Sequence, residues 1–247
     1  MKRKSEKPVR STAHSLDGFT LVELLVVVSI IALMTSIALP TLTRAQRNGE
    51  GIHCLANERQ LVLAWMQYAI DADDRLCDPN SLRSDLRRYA PMDEVYICKT
   101  VQDEDATSSY GISNTMGGHA RDGVTPYERL HRVSHPSRRM VLVDVEAESQ
   151  SCFWPLLFYE EHWQWRPWSW PASTNLQTLT ARHNDGCNMV FADGHGEYRH
   201  WKDRRTVKLI KGVLANPVMA SMDNADLDFA VDVLTNETHL PAGDSSL

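Results

Sequence analysis

The sequence lacks the features that mark several common classes of protein. Its 26 Lys and Arg against 32 Asp and Glu leave no basic excess, which argues against bulk electrostatic binding to nucleic acid. The 5 cysteines include no C-x-x-C pair, so the motifs of zinc ribbons and thioredoxin-like proteins are absent. The 12 Gly and 11 Pro among 247 residues exclude a collagen-like or low-complexity chain.

The sequence also contains no specific local signature of a catalytic nucleophile. Ser and His are frequent enough to occur near each other by chance, and no Cys–His or Ser–His–Asp motif stands out. We therefore predict no enzyme, no catalytic residue and no cofactor.

Charge and hydropathy are distributed unevenly at the N-terminus. Residues 1–18 carry five basic and two acidic side chains, a net charge of +3, so the rest of the chain carries −9 of the total of −6. Residues 19–39 form an apolar run with a single charged residue, Glu23. Twenty-one helical residues are about 31 Å long, close to the thickness of a bilayer hydrocarbon core. Because the basic residues are densest before this run, we expect a cytoplasmic N-terminus and an external C-terminal part.

Three interpretations compete for the apolar run. A buried helix of a soluble protein does not explain the basic leader. A cleaved secretory signal is compatible with the small residues of Ser36-Ile37-Ala38, but the run is longer than the apolar region of most signals. The third interpretation, a retained membrane helix, explains both the length and the basic leader.

The segment from Gly18 to Val27, GFTLVELLVV, resembles the type IV prepilin motif. That motif is shared by type IV pilins and type II secretion pseudopilins, in which a prepilin peptidase cuts after the Gly and methylates the new N-terminal residue. The resemblance implies processing between Gly18 and Phe19, although Asp17 stands where the family usually has Lys or Arg. The implied partners are the prepilin peptidase, other pilin or pseudopilin subunits, an inner-membrane assembly platform and membrane lipid, with no nucleic acid.

Glu23 is the single charge in the apolar run, and a carboxylate in a membrane helix is costly and seldom idle. One interpretation is that Glu23 reaches the membrane interface and stays solvated. The other is that Glu23 neutralises the α-amine of Phe19 in a neighbouring subunit and so sets the step of a helical fibre.

The remaining chain is expected to form an α+β, pilin-like fold, in which a long N-terminal transmembrane helix packs on a small antiparallel sheet head with irregular loops. We divide it into a leader (1–18), a transmembrane part of the helix (19–39), its extracytoplasmic continuation (40–72), a globular head (73–240) and a frayed tail (241–247). Pro40 should kink the helix. Strands are predicted at 94–98, 109–113, 140–145, 188–192 and 197–201, and short helices at 202–214 and 223–234.

A second resemblance lies in the head. His183 is followed after nine residues by Asp193-Gly194, which is similar to the H-X9-DG segment of a large group of bacterial prepilin-like proteins. Other stretches agree with that group, namely Cys54-Leu55-Ala56-Asn57, Tyr96-Ile97-Cys98, Ser109-Tyr110-Gly111 and His135-Pro136-Ser137 before Asp144. No enzymatic activity is implied by this resemblance.

His183 and its neighbours suggest either turns or a metal site. Asp185-Gly186 and Asp193-Gly194 are typical of tight hairpins. A strand of six residues between them is about 20 Å long, which would hold His183 and Asp193 too far apart to share an ion. We therefore expect a structural role and no metal here. The acidic residues Asp71, Asp73, Asp74 and Asp78 are a weaker candidate for a calcium loop.

Tryptophan and cysteine complete the candidate residues. Five of the 7 Trp lie close together, at Trp154, Trp163, Trp165, Trp168 and Trp170. They form either a lid on the sheet or an exposed surface for a glycan or another protein. Disulfides are possible between Cys54 and Cys77, or between Cys98 and either of them, and the odd count leaves at least one thiol unpaired within the chain.

Two functions follow from these observations. The chain is expected to be a pilin or pseudopilin subunit of a type IV pilus-like or type II secretion fibre, in the inner membrane with its head in the periplasm or on a cell-surface fibre. The alternative is a tethered binding module that uses Trp163, Trp165, Trp168 and Trp170.

Overall fold

The computed structural model describes residues 20–101, 108–120, 124–148, 152–153, 156–159, 162–165, 180–211 and 223–235. The chain divides into two compact units, residues 1–45 and 46–247. Within the described residues the helices are α1 (Leu21–Asp71), α2 (Leu82–Leu86), α3 (Arg204–Ile210) and α4 (Ala225–Leu234). The strands among these residues are β1 (Ser108–Ser113), β2 (Met140–Glu148), β3 (Cys152–Phe153), β4 (Leu156–Tyr159), β5 (His162–Trp165), β6 (Gly186–Phe191) and β7 (Gly196–His200).

The described part of the N-terminal unit is helical from Leu21 onward, and its side chains are exposed. By length and composition this segment is long and apolar enough to cross a membrane, and none of its apolar stretch is buried. Pro40 lies inside α1 without ending it. The hydroxyls of Ser29 and Thr43 donate to carbonyls four residues back, at 2.7 and 3.0 Å, which satisfies them without water.

Within the second unit, the C-terminal half of α1 packs on the sheet. The buried residues Cys54, Glu58, Leu61, Trp65 and Ala69 recur every three or four positions and therefore share one helix face. The helix ends at Asp71. The left-handed residues after it (φ 52° at Asp73 and 70° at Asp74) turn the chain, and the Asp74 N–H donates to the Ala69 carbonyl at 2.7 Å.

The main sheet has the strand order β3-β1-β2-β6-β7. The pairs β1–β2, β2–β6 and β6–β7 are antiparallel, and β3 adds two residues in parallel to β1. Strands β4 and β5 form a separate antiparallel hairpin. A long apolar N-terminal helix on an antiparallel sheet confirms the expected α+β, pilin-like layout.

The two faces of the sheet carry two different cores, because side chains alternate along each strand. One core joins α1 to the sheet through residues such as Leu61, Trp65 and Val190. The other joins the opposite face, including Met189, to α3 and α4, including Leu227. The sheet therefore lies between two helical layers.

Four of the five predicted strands match β1, β2, β6 and β7, whereas the strand predicted at 94–98 is wrong. Residues Asp93–Tyr96 form a 3-10 helix. Val95 and Tyr96 are buried by packing, and the Tyr96 hydroxyl donates to the Ala90 carbonyl at 3.0 Å. A short apolar run indicates burial, but its periodicity does not distinguish a strand from a tight helical turn.

Candidate functional site

The first candidate site is the start of α1. Gly18 and Phe19 lie outside the described residues, which begin at Thr20. The Glu23 N–H donates to Thr20 Oγ1 at 3.2 Å, and the Thr20 N–H donates to Glu23 Oε2 at 2.9 Å. The Thr20 hydroxyl also donates to Glu23 Oε2 at 2.8 Å. These reciprocal bonds are a capping box, which satisfies donors that the first turn of a helix leaves open.

Glu23 therefore has a role inside its own chain that the sequence analysis did not include. The pattern T-x-x-E before an apolar run is the signal that predicts it. The capping box holds the Glu23 carboxylate against the backbone N–H that directly follows Phe19. A negative charge is thus placed at the end of the helix where cleavage after Gly18 would create an α-amine.

The second candidate site is a cluster beneath α1, which we call the buried polar cluster. It consists of the Cys54–Cys98 disulfide, Glu58, Asp144, His183 and Asn188. His183 Nε2 lies 3.4 Å from Cys98 Sγ and 3.1 Å from Asp144 Oδ2. Asp144 Oδ2 also accepts from the Asn188 N–H at 3.3 Å. The structure thus selects Cys54–Cys98 among the disulfides that the sequence left open.

The side chains of the buried polar cluster come from different parts of the chain. Helix α1 supplies Cys54 and, one turn later, Glu58. Asp144 and Asn188 lie on the adjacent strands β2 and β6, and the Asn188 side chain donates to the Gly51 carbonyl of α1 at 2.8 Å. Three residues from the segments that suggested the H-X9-DG group, Cys54, Cys98 and His183, therefore meet in space although they are far apart in sequence.

Two carboxyl groups in this cluster are removed from water. Glu58 and Asp144 are both fully buried, and neither Glu58 oxygen has a hydrogen-bond partner among the described residues. Burial, and then the charge of Asp144, raise the pKa of Glu58 well above its usual value. Arg182 Nη1 lies 3.9 Å from Asp144 Oδ1, so a guanidinium partly compensates the charge of Asp144.

A groove of about 340 Å³ in the second unit reaches the buried polar cluster. Ile52 and Leu55 of α1 line one side of the groove, and Asn184 and Tyr198 line the other. The His183 side chain is part of its wall. The groove therefore connects His183 to the protein surface.

The structure separates the two halves of the H-X9-DG segment. His183 precedes β6 and joins the buried polar cluster, whereas Asp193 and Gly194 form the turn after β6. Asp193 Oδ1 lies 2.6 Å from His195 Nδ1, and Gly194 has a φ of 87° that suits glycine. His183 and Asp193 therefore contact different residues, as expected from the length of the strand between them.

The first of the two predicted turns is displaced by one residue. The central residues are Asn184 and Asp185, with φ of 49° and 58°, and Gly186 already begins β6. His183 and Gly186 exchange two backbone hydrogen bonds across this turn, at 3.2 and 3.0 Å. Asn and Asp tolerate the left-handed conformation, which explains why they occupy the turn.

The acidic residues near the end of α1 have separate partners. Asp71 accepts from the Tyr89 hydroxyl at 2.9 Å, and Asp74 pairs with His131. Asp78 accepts from the Asn80 N–H at 2.8 Å and caps a 3-10 turn. Within the described part of the chain, the one group of metal-ligand atoms brought together is that of Cys54, Cys98 and His183.

The tryptophan-rich segment is described only in part. Trp163 and Trp165 lie in β5, opposite Phe158 and Leu156 of β4. Trp154, Trp168 and Trp170 lie outside the described residues. A ligand surface formed by this segment stays a prediction.

Comparison with known proteins agrees with the first candidate site. Residues 17–39 match the family model described as the prokaryotic N-terminal methylation motif. The chain carries a prepilin-type motif. It supports a type IV pilin-like protein and, together with the long apolar helix, fits a single-pass membrane-anchored pilin. No curated protein and no solved structure matches the chain.

The motif has direct consequences for this pilin-like chain. It implies processing by a prepilin peptidase and assembly with other pilin subunits. It also suggests a structural subunit rather than an enzyme.

Proposed function

We propose that this pilin-like chain is a subunit of a type IV pilus-like or type II secretion pseudopilus fibre. A prepilin peptidase cuts the leader 1–18 after Gly18 and methylates Phe19. Residues 19–39 hold the subunit in the inner membrane until an assembly platform there moves it into the fibre. The observation that carries this proposal is the methylation motif at residues 17–39, which overlaps the exposed, apolar first part of α1 from Leu21 onward.

The disulfide supports the proposed orientation. Cys54, in the continuation of the helix, and Cys98, in the head, both follow the apolar run and are joined by a disulfide. Disulfides persist in oxidising spaces outside the cytoplasm, so a disulfide-bonded head belongs in the periplasm or on a surface fibre. A cytoplasmic N-terminus agrees with the basic leader.

Mass spectrometry of the N-terminus of the membrane-extracted protein tests the processing step. We expect a chain that begins with methylated Phe19. A chain that begins at Leu39 would show ordinary secretion and would contradict the assembly proposal.

Glu23 has two roles that two substitutions separate. Glu23→Gln keeps an oxygen that can accept the Thr20 bonds but removes the charge, whereas Thr20→Ala breaks the capping box and keeps the charge. If the charge neutralises the Phe19 amine of a neighbour, Glu23→Gln should insert into the membrane but not enter fibres, and Thr20→Ala should enter them. Normal fibre incorporation of Glu23→Gln would contradict this role.

We also propose that the chain belongs to the H-X9-DG group. This assignment rests on the dispersed segments, three residues of which, Cys54, Cys98 and His183, meet in the buried polar cluster. The tail 241–247 lies outside the described residues.

A further inference from the structure

We propose that the head binds one Zn²⁺-like divalent cation through Cys54, Cys98 and His183 when the disulfide between the two cysteines is reduced. In this second role of the buried polar cluster, the disulfide joins Cys54 to Cys98 in the oxidised chain, and a metal ion joins them in the reduced chain. The proposal goes beyond the proposed fibre subunit and does not depend on it.

The geometry of the three ligand atoms suits a tetrahedral site. The two sulfurs and a ring nitrogen of His183 all lie within 4.8 Å of one another. Zinc bonds of about 2.3 Å to sulfur and about 2.0 Å to nitrogen place neighbouring ligand atoms about 3.5–3.8 Å apart. His183 Nε2 is already 3.4 Å from Cys98 Sγ. Once the S–S bond is broken, a small separation of the sulfurs therefore makes room for the ion.

The three ligands are held by independent contacts that do not require the disulfide. Cys54 lies within the regular part of α1. The Cys98 N–H donates to Ser109 Oγ at 2.5 Å. The His183 backbone is fixed by its paired bonds to Gly186, and its carbonyl accepts from the Tyr198 hydroxyl at 2.8 Å. The side chains are thus kept close together after reduction, which lowers the ordering cost of binding an ion.

The surroundings of the ligands favour a cation. Glu58 and Asp144 are fully buried carboxyl groups in the same cluster, and the two Glu58 oxygens accept no hydrogen bond from the described residues. Ionisation of a buried carboxyl group without partners, such as that of Glu58, is costly, and a nearby divalent cation offsets that cost. Thiolate and imidazole ligands select zinc-like ions over calcium or magnesium.

The groove supplies a path for the ion. Its wall includes His183, whose ring touches Cys98 Sγ on the inner side. Asn184 and Tyr198 form the outer part of the groove. An entry path is one of the requirements of a functional metal site.

The chemistry balances with a dithiol reductant of the thioredoxin class. Two electrons from the reductant break the Cys54–Cys98 bond, the reductant becomes a disulfide, and both cysteines become thiols. Binding of Zn²⁺ forms two Zn–S bonds and releases the two thiol protons to water. His183 binds as a neutral imidazole through Nε2, so the 3.1 Å contact of Nε2 with Asp144 Oδ2 is broken and the remaining ring proton lies on Nδ1.

Cobalt titration of the full-length protein in detergent tests the proposal. Co²⁺ takes tetrahedral thiolate sites in place of zinc, and its thiolate charge-transfer and d–d absorption bands report the ligands. After anaerobic reduction with a phosphine we expect one Co²⁺ per chain, displacement by Zn²⁺, and protection of Cys54 and Cys98 from alkylation. The oxidised protein should show no such bands.

Three variants separate the site from adventitious binding. The double variant Cys54→Ser with Cys98→Ser should lose the charge-transfer band, and His183→Gln should weaken Co²⁺ binding at least about tenfold. Cys77→Ser is the matched control, because Cys77 is a buried free thiol outside the proposed ligand set, and it should bind like the wild type.

If reduction unfolds the head, circular dichroism can test the proposal by measuring whether Zn²⁺ refolds it. In that case Zn²⁺ should restore the helical signal of the reduced wild type but not that of reduced His183→Gln. The proposal is overturned if the reduced wild type gains neither bands nor structure. Equal metal binding by His183→Gln and the wild type would overturn it as well.

Discussion

Removal of the Cys54–Cys98 disulfide should lower the free energy of unfolding by an amount that follows from the length of the loop it closes. The bond closes a loop with a sequence separation of 44 residues. The chain-entropy relation for a loop of that length gives about 4 kcal/mol at 25 °C. For a unit of this size, about 2–4 °C of Tm per kcal/mol converts this to a fall of about 8–16 °C.

Thermal unfolding of full-length Cys54→Ala with Cys98→Ala, in detergent and without added metal, measures this effect. Reduction of the wild type should lower its Tm by a similar amount and should leave the double variant unchanged. Cys187→Ala is the control, since Cys187 is a buried free thiol and its loss removes packing but no cross-link. A double variant that melts within about 3 °C of the wild type would refute the reasoning, because the loop entropy would then be offset or absent.

Three further predictions concern particular residues of the second unit. Gly186→Ala should lower Tm, since a Cβ there would lie 2.2 Å from the Arg199 carbonyl oxygen. Gly49→Ala, whose Cβ would have no atom of the described residues within 4 Å, should leave Tm unchanged or raise it. Because the folded-state pKa of Glu58 is raised, its stabilising effect is complete below the unfolded pKa of about 4.3 and is lost as pH rises. Glu58→Gln should therefore melt above the wild type at pH 8 and near it at pH 4, and a constant difference would contradict this. Burial raises the pKa of Cys77 to about 12, so its alkylation by iodoacetamide in the folded protein should stay slow at pH 9 and become fast on unfolding.

The sequence predicted the parts of the fold that depend on local patterns. The apolar run, the end of α1 near Asp71 and the strands β1, β2, β6 and β7 follow from composition, periodicity and turn residues. The 3-10 helix at Asp93–Tyr96 was missed because its apolar residues are buried by tertiary packing rather than by strand pairing.

Of the two candidate sites, only the one at the start of α1 could be predicted from the sequence. The methylation motif and the capping box are local, since Thr20 and Glu23 are three residues apart. The buried polar cluster joins Cys54, Cys98, Asp144 and His183, which no fixed spacing relates. The spacing of His183 and Asp193 along one strand does not indicate which residues His183 contacts, namely Asp144 of β2 and Cys98, which follows the 3-10 helix.

The second half of α1 has two apolar faces, and this bears on the proposed assembly. Successive helical residues are about 100° apart, so Ile52, Leu63 and Ile70 lie on one stripe. They are 70%, 61% and 67% exposed, and their stripe lies opposite the face that buries Cys54 and Trp65. Packing of the head alone accounts for the buried face but not for the exposed one. A row of exposed apolar residues along a helix is typical of a contact surface. If the chain assembles as proposed, contact with other subunits would cover this stripe, whereas the opposite stripe of the same helix is already buried within the second unit.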